Sequence, residues 1–369
     1  MSLSHATAEG TARFQARFAG ILPAEHFRSH CGLTVSSIGI GTYLGSADAT
    51  TDQLYEDAIC HAVEGGVNLI DTAINYRCMR SERTTGRALQ RLLLSGRISR
   101  DEVLVATKGG YLPFDSDIPD DPYATFMDAY YRPAILDQRE VVSGCHAISP
   151  RFIADQISRS RRNLELETID IYYLHNPEEQ LDEIDRSTFV KRLTGAFEAL
   201  EHAASKGEIQ MYGVATWNGF RLSEGEPGYL SLSEVVDIAM AVGGEGHRFR
   251  VVQLPFNVAM CEALTKTNQV VRGEHCTLVE AANRFDIAVV ASASLLQARL
   301  CRDLPRRVTA ALPGLRTDAQ RSLQFARSAP GIKVALVGMK HLDHVEENLA
   351  VAALPPMTAE TFSAALVAH

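Results

Sequence analysis

The chain has 369 residues, 46% hydrophobic and 22% charged, which supplies a large core and argues against a disordered or fibrous protein. Its net charge of −9, with no basic stripe to neutralise phosphates, argues against a nucleic-acid partner. Seven scattered cysteines, odd in number and without a CxxC pair, argue against a disulfide frame or a zinc site and for a reducing compartment.

Residues 1–32 lack the apolar core of a signal peptide and read as a mildly helical extension, a lid or an oligomer contact. Short β-type runs then recur along the chain. They lie near TVSSIGI (34–40), VNLID (67–71), EVLVATK (102–108), IDIYYLH (169–175), IQMYGVAT (209–216), RVVQLPF (250–256), IAVVASA (287–293) and KVALVG (333–338). Most are nearly continuous apolar runs, the pattern of strands buried on both faces.

Helical periodicity separates them. Residues 51–64 place Leu54, Ala58, Ile59, Ala62 and Val63 on one face. Ser149-Pro150 opens a helix over 150–164 with a cap residue and Pro at the first helical position. Residues 187–206 carry Phe189, Leu193, Phe197 and Leu200, and Thr317 with Gln320 fits a capping box. Further helices fit 80–95, 231–242, 274–285 and 341–352. No apolar run reaches the ~18 residues of a membrane span, so the expected compartment is the cytosol.

Eight strand–helix units in alternation predict a (β/α)8 TIM barrel over 33–354, followed by a tail over 355–369. One connection is out of proportion. Residues 109–149, between the third strand and its helix, carry four Tyr and two Phe, too many aromatics for a disordered loop. This insertion reads as a substrate lid or wall over the barrel mouth.

In such barrels the chemistry sits at the C-terminal ends of the strands. Asp71, Lys108 and His175 each end a predicted strand, and Tyr76 follows the first of them. Singly each has a plain reading: Asp71 a turn cap, Tyr76 a surface aromatic, Lys108 a solvated loop residue, His175 a turn histidine. Together they form a proton-donor set. A Tyr hydroxyl can give a proton to a carbonyl oxygen, a nearby Lys favours its phenolate, a carboxylate fixes the Lys, and a His orients the oxygen. GIGTYLG (39–45) is no dinucleotide fingerprint, because its spacing is G-x-G-x-x-x-G.

From about Leu33 to about Ala353 the chain resembles the aldo-keto reductase family. The segments that carry the resemblance include IGIGTY (38–43), GVNLIDTAINY (66–76), SERTTGRAL (81–89), VLVATKGG (103–110), IDIYYLHNP (169–177), YGVATWN (212–218), VQLPFN (252–257) and HVEENLA (344–350). The resemblance implies carbonyl reduction with NADP, or NAD, and a tetrad of Asp71, Tyr76, Lys108 and His175. It implies that Gln253 holds the nicotinamide carboxamide and that Gly41 and Thr42 flank the cofactor. The family's usual Ser-Asn pair is Ala215-Thr216 here, its stacking Tyr is Ser292, and its phosphate-binding Arg is His344. Lys340 and His341 are the candidates for the anion role, and Asn348 fits the adenine contact.

The substrate wall is expected from Tyr43, Tyr111, the 112–147 loop, His146 and Trp217, with a small carbonyl or alcohol as substrate. His146 reads equally as a structural hydrogen bond that holds the loop down. Two other functions use the same residues: an NAD-dependent dehydrogenase of a sugar or polyol, and a cofactor-sensing binding subunit. No metal is implied.

Overall fold

The structure is a computed structural model and describes residues 4–366. Val-, Ile- and Leu-rich runs become strands because both their faces are covered, by packed side chains inside and by helices outside. In chain order the strands are β1 (Phe27–His30), β2 (Leu33–Ser36), β3 (Ile38–Gly41), β4 (Leu69–Asp71), β5 (Leu104–Gly109), β6 (Ile169–His175), β7 (Ile209–Ala215), β8 (Phe249–Pro255), β9 (Gln269–Val271), β10 (Glu274–Cys276), β11 (Ala288–Ser292) and β12 (Ile332–Gly338). Eight of them close a parallel barrel in the order β11-β12-β3-β4-β5-β6-β7-β8.

The helices follow the predicted periodicity: Ala49–Glu64, Arg80–Leu94, Pro150–Leu164, Arg186–Ser205, Leu232–Gly243, Asp318–Ser328 and Leu342–Ala352. Their apolar faces form one core with the outer face of the barrel, where Phe197 packs on Tyr212 and Phe249. Thr317 caps its helix through the Gln320 amide, but the Gln320 side chain turns to the Arg316 amide, so the reciprocal half of the capping box is missing. Ser149 makes no capping bond with its side chain.

Two sequence expectations change. The run at 34–40 is not one strand: β2 pairs antiparallel with β1, and only β3 joins the barrel. The helix expected at 274–285 begins as a β9–β10 hairpin, with the helix at Leu278–Arg284.

The N-terminal extension is no lid over the mouth. Ala6 and Val35 pack beneath Leu69, Leu104, Ile171, Met211 and Val251 inside the barrel, closing its floor at the strand N-termini. Asp170 fixes this plug. It accepts the Ala6 amide at 2.7 Å on one oxygen, and Arg100 at 2.7 Å and the Val105 amide at 2.8 Å on the other. The C-terminal segment is also packed, since Phe362 stacks on Phe325 at 4.9 Å.

The insertion runs beside the barrel rather than across its mouth. Its short helix (Pro122–Phe126) leads to Tyr130, which is buried against Phe152 and under the Arg159 guanidinium. No helix among the described residues is long and apolar enough to cross a membrane.

Candidate active site

The strands end in register around the mouth. Asp71 pairs with Gly41 and Ala106, Lys108 with Tyr173, and His175 with Ala215, which in turn pairs with Gln253. Within this ring the Lys108 ammonium donates to Asp71 Oδ1 at 2.5 Å and to the Thr72 carbonyl at 2.8 Å. The second Asp71 oxygen accepts the Gln253 side-chain amide at 2.8 Å. The expected carboxamide holder therefore has its Nε2 committed to Asp71, which leaves its Oε1 for a ligand.

Tyr76 lies over this pair, with Lys108 Nζ 4.9 Å from its ring centre. His175 meets the Tyr76 ring edge-on at 5.8 Å, and Tyr43 packs on its other side at 4.9 Å. Burial raises the Tyr76 pKa above its ordinary value, and the Lys108 charge that works the other way does not offset it. The sequence anticipated only the lysine effect. Here the phenol holds its proton at neutral pH, as a proton donor must. Burial, then Lys108 and His146, hold His175 well below its ordinary pKa, so its imidazole is neutral.

Asp71, Tyr76 and His175 bound one end of a cavity of about 820 Å³. It is lined by Gly41, Thr42, Tyr43, Asp71, Tyr76, Tyr111, His175, Thr216, Trp217, Gln253, Ser292, His344 and Asn348. Four expected residues do not line it, one of them His341. Lys108 lies beneath the floor. Lys340 reaches instead toward Gly45, with its ammonium 3.8 Å from where a Cβ there would stand.

His146 is the fourth, and it is a support rather than a substrate contact. It is fully buried, and its Nε2 meets the His175 carbonyl at 2.8 Å. Arg192 donates to Gln180 Oε1 at 2.6 Å, so the Gln180 amide nitrogen faces His146 Nδ1, at 2.8 Å. That orientation makes Nδ1 the acceptor and leaves the proton on Nε2, pointing at the His175 backbone. Gly110, at φ +142°, is needed here, because a Cβ would stand 2.9 Å from the same His175 carbonyl.

From the insertion only Tyr111 reaches the cavity, so residues 112–147 do not form its wall. The sequence missed a different wall. Ser294, Leu295, Gln297, Ala298 and Cys301, in the connection after β11, line the far end together with Thr317 and Glu347. Leu296, Gln297 and Ala298 have left-handed backbones (φ 46°, 52° and 67°) without being glycines, so no sequence signal marked the turn.

Several polar atoms around this cavity are buried without a partner among the described residues: Thr216 Oγ1, Ser294 Oγ, Asn348 Oδ1 and Asn75 Oδ1. Unpaired buried polar atoms are costly and rare, so a row of them along one cavity fits an elongated polar ligand. A dinucleotide has that shape and that supply of donors and acceptors. Among the described residues no cluster of His, Cys, Asp and Glu is arranged to hold a metal ion.

The sequence profile of the aldo/keto reductase family matches residues 37–297. The chain belongs to the aldo/keto reductase family. Among curated proteins it is similar to the NADH-specific methylglyoxal reductase of Escherichia coli, at 27% identity over 214 residues, 57% of this chain and 55% of that one. The chain thus spans about half the length of that relative. The fold is that of a glycerol dehydrogenase from Gluconobacter oxydans (TM-score 0.65, 18% identity, 93% and 94% of the two chains). An aldo/keto reductase from Klebsiella pneumoniae, solved with NADP and acetate, is also similar (TM-score 0.60, 19% identity, 92% and 93% covered).

Proposed function

We propose that this protein is an NAD(P)H-dependent oxidoreductase that reduces a small aldehyde or ketone to its alcohol. The observation that carries the reading is the buried Asp71–Lys108 pair directly beneath Tyr76, with neutral His175 beside it, at one end of a cavity lined by unpaired polar atoms.

A reduced nicotinamide, when bound, supplies the hydride that adds to the carbonyl carbon. Gln253 Oε1, Thr216, Ser294 and Asn348 are the residues suited to hold that dinucleotide, and the helix that begins at Leu342 lines the same cavity at His344, where its N-terminal amides would suit a phosphate. His175 donates a hydrogen bond to the carbonyl oxygen and orients it between itself and Tyr76. Tyr76 then gives its hydroxyl proton to that oxygen. Lys108 stabilises the phenolate left behind, and Asp71 holds the ammonium in place and charged. Solvent reprotonates Tyr76 after the alcohol leaves. General acid catalysis of this kind contributes roughly 10²- to 10⁴-fold to a rate.

The test is to follow NADH and NADPH oxidation at 340 nm with a panel of small aldehydes, alongside cofactor binding by fluorescence. Turnover together with saturable binding of either cofactor supports the reading. Tight cofactor binding with no turnover across the panel would instead favour a cofactor-sensing role.

A further inference from the structure

Beside His175 the cavity wall carries a small polar cluster that the tetrad does not use. Tyr111 meets the His175 ring edge-on at 5.0 Å. Its hydroxyl donates to Glu179 Oε1, and Asn176 Nδ2 donates to that hydroxyl at 2.8 Å and approaches the same Glu179 oxygen at 3.3 Å. The proton of Tyr111 and the amide hydrogens of Asn176 are therefore already spent on neighbours. Both residues line the cavity, and what they leave unused is one lone pair on the Tyr111 oxygen and the Asn176 Oδ1, which accepts no hydrogen bond among the described residues. Asn176 has a left-handed backbone (φ 47°), and its amide is tied to the Ala215 carbonyl at 2.6 Å, so it is held in place rather than free to swing.

This subsite offers acceptors only, and it selects a ligand that donates. The rest of the wall narrows the choice. Among the described residues no Arg or Lys lines the cavity, and the buried Lys108 beneath Tyr76 is neutralised by Asp71. Tyr43, Leu44 and Trp217 give the mouth an apolar rim. A carboxylate or phosphate substrate would face the Glu179 side and its acceptors with no countercharge.

Resting on the reductase reading above, we infer that the substrate is an uncharged hydroxy-carbonyl compound, its hydroxyl one or two carbons from the carbonyl and bound by Asn176 and Tyr111. The carbonyl oxygen sits between Tyr76 and His175, and the hydroxyl donates to Asn176 Oδ1. Glu179 is a positioning residue that keeps the Tyr111 proton turned away from the ligand.

The test compares kcat/KM for 2-hydroxypropanal and its isostere 2-methylpropanal, with glyoxylate as an anionic probe, in the wild type, Asn176→Leu and Tyr111→Phe. Intrinsic reactivity is common to all three enzymes, so the change in the ratio isolates the subsite. The wild type should prefer the hydroxyaldehyde about tenfold or more and use glyoxylate least, since a site built to bind a hydroxyl discriminates against the analogue without one. Asn176→Leu should cut the ratio at least fivefold, and Tyr111→Phe should cut it less, because it removes one acceptor of two. Wild-type turnover of 2-methylpropanal with no preference, or an unchanged ratio in both folded variants, overturns the subsite and leaves the reductase reading standing. No wild-type turnover of any of the three with either cofactor removes the reading on which the subsite depends.

Discussion

The Lys108 ammonium stands 2.5 Å from the Asp71 carboxylate with both groups sealed from solvent. Burial alone would lower the Lys108 pKa, but Asp71 and Tyr76 outweigh it and raise it above the ordinary lysine value. Lys108 is thus charged throughout the neutral range, and the stabilising effect of its contact with Asp71 fades only above the ordinary lysine pKa, as Lys108 loses its proton.

Breaking one side of this pair leaves a bare buried charge. Asp71→Asn should lose about 3–5 kcal/mol of folding stability, read from urea denaturation at pH 7. Adding Lys108→Met to that variant should recover part of the loss, because the orphan ammonium goes with it. A double variant that loses the full sum of the two single losses would show that the groups act independently.

Glu178 gives a pH signature. Its Oε1 accepts the backbone amides of Trp217, Asn218 and Gly219 at 2.7, 3.0 and 3.2 Å, which ties the loop after β6 to the loop that carries Trp217. Burial pushes its pKa up from 4.5 to about 7, against those amides, which pull it down. The folded state therefore holds this proton more tightly than the unfolded chain does. Its contribution is full below pH 4.5 and is lost as pH rises to about 7, a change on the order of 3 kcal/mol. Glu178→Gln carries no such titration. Denaturation from pH 4 to 8 should find the variant gaining on the wild type across that window, and a constant difference between the two would contradict the assignment.

The Arg192–Gln180–His146 chain has a fixed direction. Nitrogen-15 NMR should find His146 neutral with its proton on Nε2 through pH 6–8, since burial holds its pKa below the ordinary value. Gln180→Glu replaces the amide donor with an acceptor, so the proton should move to Nδ1 and the bond to the His175 backbone should be lost. A shift of a catalytic group by a fraction of an ångström is costly, and kcat should fall on the order of tenfold with cofactor affinity unchanged. An Nδ1 proton in the wild type would contradict the chain as described.

Much of this was legible in the sequence because it depends on residues near one another along the chain. Strands buried on both faces announce themselves as unbroken apolar runs, and Asp71, Lys108 and His175 sit where such runs end. The β1–β2 hairpin was hidden because FRSH is short and polar, and its partner LTVS runs straight on into β3. The β9–β10 turn did leave a mark. Arg272-Gly273, with both residues at positive φ (53° and 81°), is a two-residue hairpin turn inside VVRGEHC, and helical periodicity further along concealed it.

The burial of His146, the spent amide of Gln253 and the cavity wall at 294–301 depend on partners distant in sequence or on left-handed turns built without glycine. The insertion misled for a related reason. Tyr130 at its centre does pack, but against the helix at 150–164 rather than over the mouth.

The most direct measurement is turnover by Tyr76→Phe beside its affinity for NADH and NADPH. The substitution removes one hydroxyl at the centre of the Lys108–Asp71–His175 cluster and leaves the ring that packs on Tyr43 and His175. The account predicts that kcat falls by roughly 10²-fold or more while cofactor dissociation constants stay within about twofold. Retained turnover at unchanged cofactor affinity would contradict it, because the proton would then come from another group.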